Sequence, residues 1–539
     1  MAKLLGERAG ETVGYRVRMD TRIGPRTRIE VVTEGVLTRI LQFDPALGGY
    51  DLVIFDEFHE RSLHADLSLA LCLEARAALR PDLHIAVMSA TLDAAPVARL
   101  LGDAPLLTSE GRGFPVDTRY QAIPARERIE AQVANGIRRV LSEETGSVLV
   151  FLPGGGEIRR LAAILEGNLP ENTDVMPLYG DLTQPQQDAA ILPAAPGRRK
   201  VVLATSIAET SLTIEGVRVV LDAGLMRVPR FDPVSGMTRL VTVRVSRASA
   251  DQRRGRAGRL EPGACYRLWS EGERLEVQSA PEILQADLAP LALELAQWGA
   301  ADVSGLAWLD PPPAAALAQA RELLQRLEAL DAAGRITAHG RRLLGLPLHP
   351  RLAHMVVKGA EQEQGWLACL LAALIGERDI LAAGEQQADV SVRLRLLDEQ
   401  GADSRLRRIL ASAKDISRQA GITVSNTHDV HRVGVLLALA YPDRIAKRRS
   451  GIAPRYLLSN GRGAFLREGD PLGAAPWLAV AELDGNPREA RIYLAASVSE
   501  AELREVFAAQ VETRDVVEWD EANGAVAALS EQHLGAIVL

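Results

Sequence analysis

Apolar and polar positions change period several times along the first part of the chain, and each change predicts an element. Alternating β-branched and polar residues over 12–18 and 27–33 predict two short strands, and 34–42 reads as a helix. The run Asp51-Leu-Val-Ile-Phe55 is apolar without interruption, which predicts a buried parallel strand. A Leu/Ala-rich stretch over 65–78 predicts a helix, and His84-Ile-Ala-Val-Met88 a further strand. Strand, helix, strand makes a βαβ unit. Residues 1–10 read as the end of a helix.

A second alternation follows: helix 129–142, strand 148–152, helix 157–165, strand 200–204 and strand 217–221. It predicts a second α/β sheet of similar size. From about residue 281 to about 423 the periodicity is helical, broken by Pro311-Pro-Pro313, Gly334 and Leu346-Pro-Leu-His-Pro350. Strands return with 455–458, 477–481 and 491–494 between Gly- and Pro-containing turns, predicting a small β-rich module.

Length and composition fit this plan. A chain of 539 residues is too long for one core, at about 150 residues per domain. No uncharged apolar run reaches the roughly 18 residues of a membrane helix, and no signal-peptide core stands at the N-terminus, so the expectation is a soluble, cytoplasmic protein without membrane contact. Cys72, Cys265 and Cys369 are widely spaced in apolar surroundings, as core residues are.

Charge sharpens the picture locally. The net charge of −8 argues against a protein coated for nucleic acid, yet nine arginines (227, 230, 239, 244, 247, 253, 254, 256, 259) face only Asp232 and Asp251 between 227 and 259. Such an excess meets phosphates, and an arginine-rich solvated hairpin fits the charge equally well.

Candidate chemistry lies at the ends of the predicted strands. Asp56-Glu-Phe-His59 follows the first βαβ strand, where open α/β sheets bind ligands, although carboxylates there also cap helices. In Gln252-Arg-Arg-Gly-Arg-Ala-Gly-Arg259, Arg256 and Arg259 are three apart, one helical turn, and can aim two guanidiniums at one polyphosphate, while a Gly/Arg loop for RNA is the other reading. An aspartate that holds Mg²⁺, a glutamate that activates water and arginines from a second sheet together describe a nucleoside triphosphatase with its site between two sheets.

Asp56-Glu-Phe-His59, Ser89-Ala-Thr91, Ala204-Thr-Ser-Ile-Ala-Glu-Thr-Ser-Leu-Thr-Ile214 and 252–259 stand in the order and at the spacings of motifs II, III, V and VI. In these the chain resembles the DEAH-box RNA helicases of superfamily 2. Thr33-Glu-Gly-Val-Leu-Thr-Arg39 looks like motif Ib, and Phe151-Leu-Pro-Gly-Gly-Gly-Glu-Ile158 like motif IV. Phe58, His59-Glu-Arg-Ser62, Tyr441-Pro-Asp-Arg-Ile-Ala-Lys-Arg-Arg449 and Arg455-Tyr-Leu-Leu458 are most similar to the bacterial HrpB branch.

The resemblance implies a fold of class α/β. Residues 1–117 would form a partial RecA-like domain and 118–280 a second one. Residues 281–425 would form a winged-helix and helical-bundle region, suggested by Thr337-Ala-His-Gly-Arg-Arg-Leu-Leu-Gly-Leu-Pro-Leu-His-Pro350, and 426–539 a β-rich C-terminal module. It implies ATP and Mg²⁺, with RNA as partner. By motif, Asp56 would hold Mg²⁺, Glu57 would be the general base and His59 would link the site to the second sheet. Gln252, Arg256 and Arg259 would meet the γ-phosphate, and Ser89 and Thr91 would couple hydrolysis to movement. Thr33, Gly35, Arg39 and Thr205 would lie along the nucleic-acid backbone, and the arginine-rich 227–247 segment would be a strand-separating β-hairpin.

One departure is large. No lysine of the chain (Lys3, Lys200, Lys358, Lys414, Lys447) follows a glycine, so the phosphate-cradling Gly-x-x-x-x-Gly-Lys-Ser/Thr loop is not in this sequence. The family places that loop upstream of the position of Met1, and the expectation is a chain truncated at the N-terminus, incomplete also past Leu539, and feeble in ATP hydrolysis. Ser206 stands where many relatives have asparagine. A non-catalytic nucleic-acid-binding relic, and a translocase on single-stranded DNA rather than RNA, stand beside the helicase reading.

Overall fold

In the computed structural model all residues are described except 18–19, 91–93, 110–112, 123–127, 181, 210–212, 234–235, 301, 378, 382–386, 400–402, 426, 428, 487 and 521–524. The first βαβ unit forms as expected: strand Leu52–Phe55, helix Leu63–Ala78 and strand His84–Val87, with the two strands parallel from Leu52 opposite His84 to Phe55 opposite Val87. Ahead of it a three-stranded sheet pairs Val13–Val17 with Ile29–Val32 in parallel and with Asp20–Arg22 antiparallel. Residues 2–5 form a single 3-10 turn in place of the expected helix end.

The strand Leu52–Phe55 is not buried as its uninterrupted apolar run predicts. Val53 and Phe55 pack on the core, whereas Leu52 and Ile54 are 47% and 52% exposed. Successive side chains of a strand point to opposite faces. Here the described residues cover one face only, with the helix Leu63–Ala78 and its buried row of Leu67, Ala70, Leu71 and Cys72.

The second sheet has six parallel strands in the order Val116–Tyr120, Gly263–Arg267, Val217–Asp222, Ser147–Phe151, Arg199–Ala204, Thr173–Leu178. Both faces are covered, so alternate residues of one strand enter different cores. Val148 and Val150 join Val133, Ile137 and Leu161 from the helices Ile129–Glu143 and Gly155–Leu165, while Leu149 and Phe151 join Ala190 and Ala257. The edge strand begins at Val116, two residues ahead of the expected boundary at 118, because its partner is the strand Gly263–Arg267. An antiparallel hairpin, Leu225–Asp232 with Met237–Arg244, rises from this unit at the arginine-rich segment.

Helices dominate from Ala289–Trp298 to Ser404–Ala420 and continue to Val433–Ala440, past the expected limit of 425, since that last helix is apolar on all sides and buried against the strands that follow. Those strands form a closed five-stranded barrel in the order Ile445–Arg448, Arg455–Leu458, Gly463–Phe465, Glu489–Ser497, Trp477–Leu483, with the third and fourth in that list parallel. This is the Greek-key barrel of OB-folds. The sequence reading missed two of its strands, which are four and three residues long. A sheet of Glu512–Asp520, Ala525–Leu534 and Ile537–Val538 follows.

Hairpin, helices and barrel meet at a buried charged joint. Arg351, on the first turn of the helix Pro350–Glu361, binds both oxygens of Asp443 at 2.5 and 3.0 Å. Arg444 donates to the Ala481 carbonyl at 2.7 Å and to the Gly236 carbonyl of the hairpin tip at 2.6 Å. Both guanidiniums stack over Tyr441, at 5.4 and 4.7 Å. All three cysteines are buried and unpaired, and burial pushes each thiol up to about 12. No helix among the described residues is long and apolar enough to cross a membrane.

Candidate functional site

Asp56 leaves the carboxyl end of Leu52–Phe55 and is exposed, and its Oδ1 accepts the Glu57 amide at 2.8 Å. Glu57 has φ 49°, a left-handed conformation that costs a non-glycine residue about 1–2 kcal/mol. The surroundings hold it there. Phe58 donates to the Met88 carbonyl at 3.0 Å, Met88 donates to the Phe55 carbonyl at 2.7 Å, and the buried Phe58 ring packs edge-on against Phe55 at 6.2 Å. Strain concentrated on a carboxylate at a sheet edge is what preorganised sites show.

The His59 ring bonds within its own unit. Nδ1 accepts the Ala90 amide at 3.4 Å and Nε2 lies 3.5 Å from Glu57, so among the described residues His59 joins motif II to motif III instead of reaching the second sheet. Ser89 lies exposed in that same motif III turn, and Thr91 falls outside the described residues. Arg61 carries the connection outward: its guanidinium holds Asp66 at 3.0 and 3.1 Å and Asp310 at 2.7 Å, and its carbonyl accepts the Glu282 amide at 3.1 Å. The acidic turn is thereby fastened to the helical region.

In the second α/β unit, the helix Arg247–Gly255 ends before Arg256, so Arg256 and Arg259 sit in the turns that follow it and not on one helical face as the spacing predicts. Both reach the loop after Arg199–Ala204: Arg256 donates to the Glu209 carbonyl and Arg259 to the Thr213 hydroxyl. Burial, then the neighbouring Arg259, push the Arg256 guanidinium down to about 10, against the Glu57 and Glu209 carboxylates that pull it up. Glu57 of the first sheet and Arg256 of the second are thus within electrostatic reach. Gln252 is half-buried on the same helix. Gly258 lets the chain pass Phe114, whose carbonyl lies 2.6 Å from where a Cβ would stand.

The arginine excess is largely neutralised internally. Arg227 pairs with Glu157 at 2.9 Å, Arg239 with Asp232 at 3.2 Å, Arg244 with Glu273 at 2.5 Å, and Arg254 with Asp251 at 3.8 Å. Arg253 is wholly buried between Glu209 at 2.5 Å and Asp222 at 2.7 Å, 4.8 Å over the Phe151 ring. It is the keystone that joins the loops of motifs IV, V and VI. The sequence reading counted it only in the local arginine excess and gave it no role, although one of its partners, Glu209, stood in the quoted stretch 204–214.

Thr33, Gly35 and Arg39 come together at a cleft of about 390 Å³ between the first unit and the helical region. Four helices begin around it, Glu34–Phe43, Leu63–Ala78, Ala289–Trp298 and Pro350–Glu361, and contribute Gly35, His64, Pro290 and Pro350 to its wall. Helix N-termini carry positive partial charge and free amides, which suit phosphate. Thr33 caps its helix with no side-chain bond. Thr205 stands apart from this cleft, at the carboxyl end of Arg199–Ala204.

The second sheet and its loops define the class. Residues 130–261 match the helicase conserved C-terminal domain, and residues 510–539 match the connector region of the ATP-dependent RNA helicase HrpB. The chain is 45% identical over its whole length to the ATP-dependent RNA helicase HrpB of Escherichia coli, of which it spans 65%. It is 38% identical, over 66% of its length and 50% of that protein's, to the probable ATP-dependent RNA helicase DHR2 of Saccharomyces cerevisiae. Two crystal structures of HrpB from E. coli superpose with TM-scores of 0.84 and 0.85 at 44% and 42% identity, each covering all of this chain and 65% and 67% of theirs. The chain belongs to the HrpB branch of the DEAH-box helicases. It spans about two thirds of the length of the E. coli relative.

Proposed function

We propose that the cleft between the two sheets is the site of an RNA-dependent ATP hydrolysis coupled to movement along RNA. The observation that carries this reading is the buried Arg256 of the second sheet lying within electrostatic reach of Glu57, the strained carboxylate at the edge of the first. Asp56, an exposed carboxylate at the sheet edge, is the hard oxygen donor that Mg²⁺ takes. Held there, Mg²⁺ would supply charge neutralisation on the phosphates. Glu57, strained and fixed, accepts the proton of the attacking water. Gln252, Arg256 and Arg259 meet the γ-phosphate from the other side. Ser89 and Thr91 relay its loss through the His59–Ala90 contact, and Arg61 passes movement of the acidic turn to the helical region. Thr33, Gly35, Arg39 and Thr205 bear on phosphate and sugar, and such contacts carry no sequence information.

The 539 residues hold no Gly-Lys-Ser/Thr loop, so this chain on its own binds single-stranded RNA and turns over ATP feebly. Anisotropy with labelled single-stranded RNA, beside RNA-stimulated phosphate release, tests the reading. Binding with little turnover is expected, and absence of RNA binding contradicts it. The missing loop also favours a second reading, a binding-only protein, which the same pair of assays separates once a loop is supplied.

A further inference from the structure

The cleft beside Thr33, Gly35 and Arg39 holds one group that a phosphate track alone has no use for. Glu294, on the helix Ala289–Trp298, lines it together with the apolar Leu343, Leu346 and Pro347. A carboxylate beside a phosphodiester is repelled, so its presence there is favoured where the strand brings it a hydrogen-bond donor. On a single-stranded RNA the group that every nucleotide carries next to its phosphate, and that DNA lacks, is the ribose 2′-hydroxyl.

The local geometry prepares the carboxylate for such a donor. Gln42 donates to Glu294 Oε2 and, at 3.4 Å, to the Glu294 carbonyl, which fixes the side chain, and among the described residues Gln42 is its only hydrogen-bond partner. The remaining oxygen, Oε1, is left for a ligand. Burial raises the carboxyl pKa while Arg39 pulls it back, so the carboxylate and the cation expected to hold a phosphate lie within electrostatic reach of each other. The cleft's volume, about 390 Å³, lies in the range of small-molecule sites. The same cleft is lined by Thr33, Gly35 and Arg39 at the start of the helix Glu34–Phe43, by Leu343, Leu346 and Pro347, and by Glu294, so a phosphate, a base and a ribose hydroxyl each find a partner of suitable chemistry in its wall.

We infer that Glu294 accepts a hydrogen bond from the 2′-hydroxyl of an RNA strand lying against Thr33, Gly35 and Arg39, and so makes this stretch of the track prefer RNA to DNA. The inference rests on the nucleic-acid reading above. A hydrogen bond from a neutral hydroxyl to a carboxylate sets the scale of discrimination at about tenfold in affinity.

The test is anisotropy of the full chain with one short single-stranded sequence made as RNA, as DNA and as 2′-fluoro-RNA, whose fluorine donates nothing. The wild-type chain should bind RNA about tenfold more tightly than either of the others. Glu294→Ala should lose that advantage without weakening DNA binding, and Glu294→Gln, whose amide oxygen still accepts, should keep part of it; thermal melts of both variants confirm folding. Should Glu294→Ala fail to fold, Glu294→Gln and the 2′-fluoro comparison on the wild-type chain decide. The inference is overturned by folded variants that keep the wild-type RNA-to-DNA ratio, or by a wild-type chain that binds 2′-fluoro-RNA as tightly as RNA. Binding to none of the three overturns the nucleic-acid reading, and the inference with it.

Discussion

Arg253 shows how much a single buried charge decides in this molecule. It has no exposure, two carboxylate partners and a ring beneath it. Removing one partner of a buried ion pair leaves an uncompensated charge and costs about 3–5 kcal/mol. Glu209→Ala should therefore lower the stability of the second sheet by that amount in a denaturant titration, more than Arg259→Ala, whose side chain is exposed. A loss below about 1 kcal/mol would show that the triad does not hold the three loops together. Sequence alone singled out Arg256 and Arg259 and passed over Arg253, because which arginine of a basic run turns inward depends on the phase of the helix Arg247–Gly255 against the sheet. The acidic turn was legible as Asp56 and Glu57. The left-handed backbone at Glu57 was not, since nothing in the residue type announces it.

At the scale of elements, long regular segments were read well and short ones poorly. The helices 65–78 and 129–142 and the two α/β alternations needed only periodicity. Barrel strands of three and four residues present too few positions for alternation to register, and their closure depends on partners far along the chain. The strand Leu52–Phe55 misled for another reason: apolar residues on both faces say that both faces suit burial, not that both are covered. The helical region adds a pH-dependent element. His339 Nε2 and His354 Nδ1 are 2.8 Å apart, and burial, followed by the nearby His339 and Lys358, holds His354 down at about 3. An unfolded histidine titrates near 6.5. Because the folded value is the lower one, stability from neutral His354 is present above about pH 6.5 and is lost progressively as pH falls toward 3. Melting temperatures between pH 7 and 4 should fall less steeply in His354→Gln than in the wild type, and identical slopes would remove His354 from the account.

For the whole molecule, net charge −8 and an arginine excess largely paired within the fold leave no basic coat, so the RNA affinity proposed above rests on a few placed groups. Single-stranded binding loses about 0.7 in the slope of log affinity against log salt for each phosphate contact removed. Arg39→Ala should flatten that slope by about this amount, and an unchanged slope would place Arg39 off the track. The joint of Arg351, Asp443 and Arg444 ties hairpin, helices and barrel together, a connection between distant segments that no local pattern encodes. The central claim is that Glu57 and Arg256 act on one nucleotide from opposite sheets. Its most direct test supplies a strand and a Gly-x-x-x-x-Gly-Lys-Ser/Thr loop ahead of Met1 and measures RNA-stimulated phosphate release in the parent, Glu57→Gln and Arg256→Ala. Turnover should appear in the parent and fall by about 100-fold or more in each variant with RNA binding intact; variants that retain turnover within about threefold of the parent would contradict the account.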